Sequence, residues 1–138
     1  MAEYEKPTPT IDADTKAFWE ACKAHVLHIP KCDDCGEFFY PPQGMCPHCL
    51  SDKVTLEKVS GKGEVYSMSI VHQNRSPGFR EEVPYVIAYI TLADAGVQMF
   101  SNVVDVDDPY DVKIGSPVEV FFRDVSAKIS LPVFRLSR

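Results

Sequence analysis

The chain has 138 residues, 45% of them hydrophobic and 25% charged, with a formal net charge of −6; this is the make-up of one average globular domain or two small ones. No apolar run approaches the ~20 residues of a bilayer-spanning helix, and the polar, proline-bearing start from Met1 to Thr10 has no hydrophobic targeting core, so no membrane span and a cytoplasmic, thiol-reducing setting are expected. The acidic balance weighs against binding a phosphate backbone.

Pro7 and Pro9 open a loose arm. Asp12 to His28 reads as a helix with Asp12 or Asp14 as N-cap, because Phe18, Cys22, Val26 and Ile29 recur at helical spacing and Trp19 adds apolar surface beside them. Cys22 sits on that stripe and reads as a packing residue. His25 and His28 fall at the exposed helix end, where imidazole suits the dipole. Next come Cys32, Cys35, Cys46 and Cys49, two Cys-x-x-Cys knuckles ten residues apart. Each knuckle aims two sulfurs at one point, and two knuckles complete the closed four-thiolate shell of a structural zinc ribbon. Asp33, Asp34 and Gly36 around the first knuckle, and Pro47 and His48 inside the second, favour turns. Two disulfides fit a reduced compartment poorly, and iron in the same four-thiolate set stays open.

From Glu57 onward helical periodicity gives way to short apolar or alternating runs. Five strands are expected. The first runs from about Glu57 to Val71, with Gly61 and Gly63 as bend or bulge points and Tyr66, Met68 and Ile70 on one face. Tyr85 to Leu92 is apolar throughout and should lie centrally, followed by Val97 to Val104, a turn-rich crossover through Gly115, then Pro117 to Asp124 and Ile129 to Leu136. A long first strand and a long connection between the third and fourth fit a small OB-type barrel, with a five-stranded sandwich as competitor. The chain thus divides into a helical arm (residues 1–29), a zinc ribbon (30–56) and a β-domain (57–138), mainly β overall.

Chemistry-bearing constellations are few. No Gly-rich phosphate loop, nucleophile elbow or histidine pair at helical spacing occurs, and no catalytic residue is assigned. The segment from His72 to Pro84 differs in kind, since it carries His72, Arg75, Phe79 and Arg80 around a Pro-Gly turn and leads into Tyr85. It joins the first two barrel strands, beside the usual ligand face of an OB-fold. The plain alternative is a solvated connection.

These segments carry a family resemblance. Phe18-Trp19-Glu20, the Cys32 to Gly36 knuckle with Phe39-Tyr40-Pro41-Pro42, Cys46-Pro47-His48-Cys49, the Gly61 to Ser67 run, Val71-His72, Pro77-Gly78-Phe79 and Val83-Pro84-Tyr85 resemble the acyl-CoA-associated zinc-ribbon and OB-fold proteins known as domain of unknown function 35. The likeness runs from about Thr8 to Phe134. It implies an N-terminal helical segment, a rubredoxin-like ribbon and an OB domain in a non-catalytic accessory subunit. Such a subunit would partner a thiolase-fold enzyme that makes or breaks carbon–carbon bonds in CoA thioesters, as a hetero-oligomer. By the same resemblance, structural zinc sits on the four cysteines and the OB domain helps hold the acyl-CoA. A ribbon joined to an OB-fold also occurs in proteins that bind single-stranded nucleic acid, with Tyr66, Phe79, Tyr85 and Phe121 as stacking residues. Residues 57–138 carry nine Lys plus Arg against eleven Asp plus Glu, which disfavours that reading. A free-standing hydrolase or carrier for CoA esters is a third reading.

Overall fold

The computed structural model describes residues 4–137; Met1 to Glu3 of the expected arm and Arg138 lie outside the described residues. Helix α1 spans Lys16–Lys23, shorter at both ends than the apolar spacing predicts. At its start the Asp12 carboxylate accepts the backbone N–H and the hydroxyl of Thr15, at 3.0 and 3.1 Å. That side chain closes a turn before the helix instead of capping it, and Thr15 becomes the N-cap. At its end His25 adopts φ +62°, and the bonds His25 N–H to Cys22 O and Val26 N–H to Ala21 O form a Schellman stop. Histidine here takes a place usually held by glycine. His28 is therefore not at a helix end; it opens strand β1 (His28–Cys32), which pairs antiparallel with β2 (Val54–Lys58).

The remaining strands are β3 (Lys62–Val71), β4 (Tyr85–Leu92), β5 (Gln98–Val104), β6 (Pro117–Asp124) and β7 (Ser130–Leu136). They close a barrel in the order β3-β4-β5-β7-β6, with β5 and β7 parallel and the other pairs antiparallel. This is the five-stranded Greek-key arrangement of an OB-fold, and closure disposes of the sandwich. The expected first strand is in fact two. The chain leaves the ribbon pair at Lys58 and turns at Gly61, whose φ is +81° and where a Cβ would lie 2.3 Å from Val120 Cγ1. Only glycine tolerates both conditions. The bulge falls between Val65 and Ser67, not at either glycine. It opposes Tyr66 and Ser67 together to Tyr89 and inverts the alternation beyond them. Val65, Met68 and Ile70 consequently belong to the core while Tyr66 stands 57% exposed, so Tyr66 does not share a face with Met68 and Ile70.

The core runs through the barrel and on to the helix. Val65, Val86, Ile90, Met99, Val118 and Phe134 join Phe18 and Cys22 of α1 and Leu27 and Ile29 of the first strand region in one cluster. Burying Phe18, 1% exposed, contributes about 2 to 3 kcal/mol. Cys22 packs as the spacing implies, and burial pushes its thiol up to about 12. Between Cys32 and Val54 the ribbon has its own small cluster of Cys32, Phe39 and Cys46.

The junction of helix and barrel is also polar. Asp124, at the end of β6, accepts from the Ser130 hydroxyl, lies 2.9 Å from His25 Nε2 and 3.6 Å from Lys23 Nζ. His25 stacks on Phe122 with ring centroids 5.4 Å apart. The His25 ring and then the Ser130 hydroxyl hold the Asp124 carboxyl down at about 2 against the opposing effect of burial, with a lesser contribution from the Lys23 charge.

Candidate metal centre and binding loop

The two knuckles are built alike. Gly36 N–H donates to Cys32 O and Leu50 N–H to Cys46 O, both at 2.9 Å, and both residues take positive φ, +77° and +66°. Inside each turn a backbone N–H points at the first sulfur: Cys35 N–H at Cys32 Sγ (3.4 Å) and His48 N–H at Cys46 Sγ (3.3 Å). Such bonds favour the thiolate. The Cys35 N–H is the largest influence that brings the Cys32 thiol down to about 7, against its burial and with help from the Cys49 thiol. Asp33 accepts from the Thr55 hydroxyl and Asp34 from the Ser51 hydroxyl, at 2.8 and 2.6 Å, so both turn aspartates fasten the first knuckle to the stretch that leads from the second knuckle into β2.

All four cysteine sulfurs lie within 4.8 Å of one another, with Cys32 to Cys49 at 3.5 Å and Cys35 to Cys46 at 3.7 Å. A tetrahedron with metal–sulfur bonds of about 2.3 Å has edges of about 3.8 Å, so the arrangement fits one tetrahedral ion. No disulfide joins any of the four. His48 is exposed and meets the site through its backbone N–H.

The segment between β3 and β4 is folded, not slack. Phe79 and Arg80 N–H groups donate to Ser76 O, and Glu82 N–H to Phe79 O. Gly78 at φ +84° lets the N-terminal arm cross closely, since a Cβ there would lie 2.8 Å from Lys6 Cγ. Lys6 donates to the Glu82 carboxylate at 2.7 Å, sits 5.1 Å above the Phe79 ring, and leaves only 14% of its side chain exposed. Phe79 lies 6.0 Å from the Tyr85 ring, whose hydroxyl accepts from Asn74 at 2.9 Å. A cleft of about 210 Å³ opens here, lined among others by Tyr4, Lys6, Phe79, Tyr85, Arg123 and Val133. Burial raises the Tyr4 hydroxyl above its ordinary value.

Of the residues singled out in sequence, Phe79 and Tyr85 meet in this cleft. His72 bonds the Tyr110 hydroxyl at 3.1 Å, on the crossover after β5; Arg80 pairs with its neighbour Glu81 at 3.0 Å, and Arg75 is exposed. The cations that line the cleft are instead Lys6 and Arg123, which share Glu82, the latter at 3.9 Å. Nothing local in sequence marks them. Lys6 is one lysine in a polar arm, and Arg123 is an outward residue near a strand end.

Fold and site together define a four-cysteine zinc-ribbon domain joined to a closed OB-fold barrel. Family models described as "ChsH2, rubredoxin-like zinc ribbon domain" and "ChsH2, C-terminal OB-fold domain" match residues 19–55 and 56–123. The chain belongs to the DUF35 family of ChsH2-like proteins. It is 38% identical over 107 residues to a DUF35 domain-containing scaffold protein of Methanothermobacter thermautotrophicus, covering 71% of this chain and 78% of that one. It is 35% identical over 130 residues to a probable enoyl-CoA hydratase alpha subunit of Thermomonospora curvata; the match takes in 94% of this chain but only 40% of the length of that relative. Among solved structures, a chain of the "Ltp2-ChsH2(DUF35) aldolase" superposes with a TM-score of 0.83 at 34% identity, covering 94% of this chain and 98% of that chain. A DUF35 protein of unknown function from Sulfolobus solfataricus, at 18% identity and a TM-score of 0.65 over 91% of this chain and 86% of its own, shares the fold.

Proposed function

We propose that this chain is a non-catalytic subunit of a hetero-oligomeric acyl-CoA enzyme whose catalytic chain has a thiolase fold, that it stabilises that partner, and that it helps to bind the CoA thioester. The observation that carries the reading is the likeness, over 94% of this chain and 98% of the other, to a chain of the Ltp2-ChsH2(DUF35) aldolase. Relatives called scaffold protein and enoyl-CoA hydratase alpha subunit support the subunit role and CoA chemistry.

Cys32, Cys35, Cys46 and Cys49 hold zinc, which cross-links the two knuckles and leaves no position open for a substrate or water. The His72 to Tyr85 segment is the ligand side. Phe79 and Tyr85 offer apolar surface to the acyl-CoA, His72 braces the segment through Tyr110, and the guanidinium groups of Arg75 and Arg80 stand exposed for bidentate bonds to the CoA phosphates.

The test is purification of the tagged chain from its native organism under mild conditions. Expected is an equimolar second polypeptide with thiolase sequence, which turns over acyl-CoA faster, or stays soluble better, with this chain than without it. Turnover by the isolated chain, or the absence of a stoichiometric partner, refutes the subunit role. Within the complex, Arg75→Ala combined with Arg80→Ala should weaken CoA-ester binding by about 1.5 to 3 kcal/mol if either bond is made away from water, with zinc content and assembly unchanged. Identical calorimetric titrations would return the segment to a solvated connection.

A further inference from the structure

In a chain of which 25% is charged, one stretch of the barrel carries no Asp, Glu, Lys, Arg or His at all: Ser67 to Val71 of β3, the whole of β4 and the whole of β5. Inward positions of these strands fill the core. The outward ones are what need explaining, because the exposed face of an antiparallel sheet ordinarily carries polar and charged side chains. Here Tyr89 and Phe100 are cross-strand partners with rings 5.1 Å apart, 47% and 54% exposed. In β3, Tyr66 follows the buried Val65 and stands out toward the same row, 57% exposed. Without the bulge, alternation from Val65 would turn Met68 and Ile70 out of the core.

The second and third strands of an OB barrel form the face on which such barrels take their ligands. A nucleic acid strand stacks on aromatic groups but needs cations along its backbone, and these strands offer none. Strand addition has little room as well, because the strand order closes on itself and only residues 66–71 of β3 and 98–102 of β5 lack a second partner strand. A charge-depleted surface with exposed tyrosine and phenylalanine matches instead the buried centre of a protein–protein interface.

Size selects the partner. Three strands of about seven residues give a planar footprint of roughly 330 Å², against the ~800 Å² per partner that a stable interface buries. A second copy seated face to face would bury too little. The surface continues, however, into a shallow depression where Trp19 and Tyr40 flank Phe100, Leu131 and Pro132, and reaching both takes a larger body that bends from the barrel face round to the helix. We infer that the outer face of β3, β4 and β5, centred on Tyr66, Tyr89 and Phe100, is the seat of the catalytic subunit. This rests on the hetero-oligomer reading above and adds where the partner sits.

Hydroxyl-radical footprinting of the complex, purified as above, reads side-chain exposure directly. Oxidation of Tyr66, Tyr89 and Phe100 should fall at least fivefold relative to the free chain, with Phe121 on β6 as the reference. In parallel, Phe100→Glu should abolish co-purification of the catalytic polypeptide while the variant keeps its zinc and melting temperature. An intact complex with unchanged oxidation at all three residues overturns the inference and leaves the subunit role standing. Failure of the wild-type chain to bring down any stoichiometric polypeptide overturns both. A free chain that sediments as a dimer with these three residues protected assigns the face to a second copy. Saturable binding of an oligo-dT probe that Phe100→Glu abolishes assigns it to nucleic acid, and either result overturns the proposal.

Discussion

Replacing Cys35 by serine removes one of four sulfurs that lie within 4.8 Å of one another. Structural zinc sites of this type contribute roughly 10 to 16 kcal/mol, so an even share of four puts the loss at roughly 2.5 to 4 kcal/mol, or two to three decades of zinc affinity. The structure also says where the damage stops. Phe18, Cys22, Leu27 and Ile29 pack with the barrel, whereas Cys32, Phe39 and Cys46 form a separate cluster with Val54. The helix should therefore survive loss of the metal while the ribbon opens. Chelator competition gives the affinity. Hydrogen exchange gives the extent: the Cys32, Phe39 and Cys46 amides, bonded to Glu37, Pro30 and Ser51 carbonyls, should lose protection, and those of β4 and β7 should keep it. A variant that retains one zinc per chain with an unchanged competition curve would refute the four-thiolate reading; one that unfolds as a whole would refute the division of cores.

Asp124→Asn should flatten the acid end of the stability curve. The folded carboxyl titrates near 2, below its ordinary value of 3.8, so its contribution is present above about 4 and lost as pH falls toward 2; urea titrations of both proteins between pH 2 and 5 should diverge at the upper end only. Gly61→Ala should cost about 2 to 4 kcal/mol, part for a left-handed backbone and part for the overlap with Val120, read as a lower urea midpoint at unchanged slope. Lys6→Ala should release the Ser76 to Glu82 turn: loss of a mostly buried charged hydrogen bond of about 1 to 2 kcal/mol predicts roughly five- to thirtyfold faster exchange at the Phe79 and Glu82 amides, with β4 unaffected. Unchanged exchange there would mean the arm only rests on the loop.

How much of this was legible depended on whether the signal was local. The knuckles could be read because Cys-x-x-Cys fixes two ligands within one turn, and the strand bounds of β4 and β6 because Gly, Pro and Asp punctuate them. Local spacing also predicts too long a helix, since α1 spans only Lys16–Lys23. Val26 and Ile29 continue its apolar spacing, but the helix stops at His25, a residue with no intrinsic bias strong enough to announce a left-handed stop. What holds it there is Asp124 and Phe122, about a hundred positions later in the chain. The sequence marks Gly61 and Gly63 as bend or bulge points because glycine is the local mark of either, and the chain does bend at Gly61, whereas the bulge beside Tyr66 is set by register across the ladder with β4.

The site shows the same limit more sharply, and it bears on what the loop can do. Composition picked out Arg75 and Arg80 because they stand close together in an acidic chain, and composition counts charges without pairing them. The fold brings other cations to the cleft. Lys6 and Arg123, from the two ends of the sequence, converge on Glu82, so the cations within the cleft are already partly neutralised by a carboxylate of the loop itself. A phosphate entering the cleft would have to compete with Glu82 for both, at the cost of breaking the Lys6 contact that holds the arm over Phe79. Among the described residues no carboxylate pairs with Arg75, and Arg80 meets an exposed neighbour whose pairing is worth at most about 1 kcal/mol. The charge left available for an anionic ligand is therefore on the outer rim of the loop, and the apolar pair Phe79 and Tyr85 is inside it. An amphipathic ligand would accordingly approach with its phosphates outward and its apolar part toward the barrel.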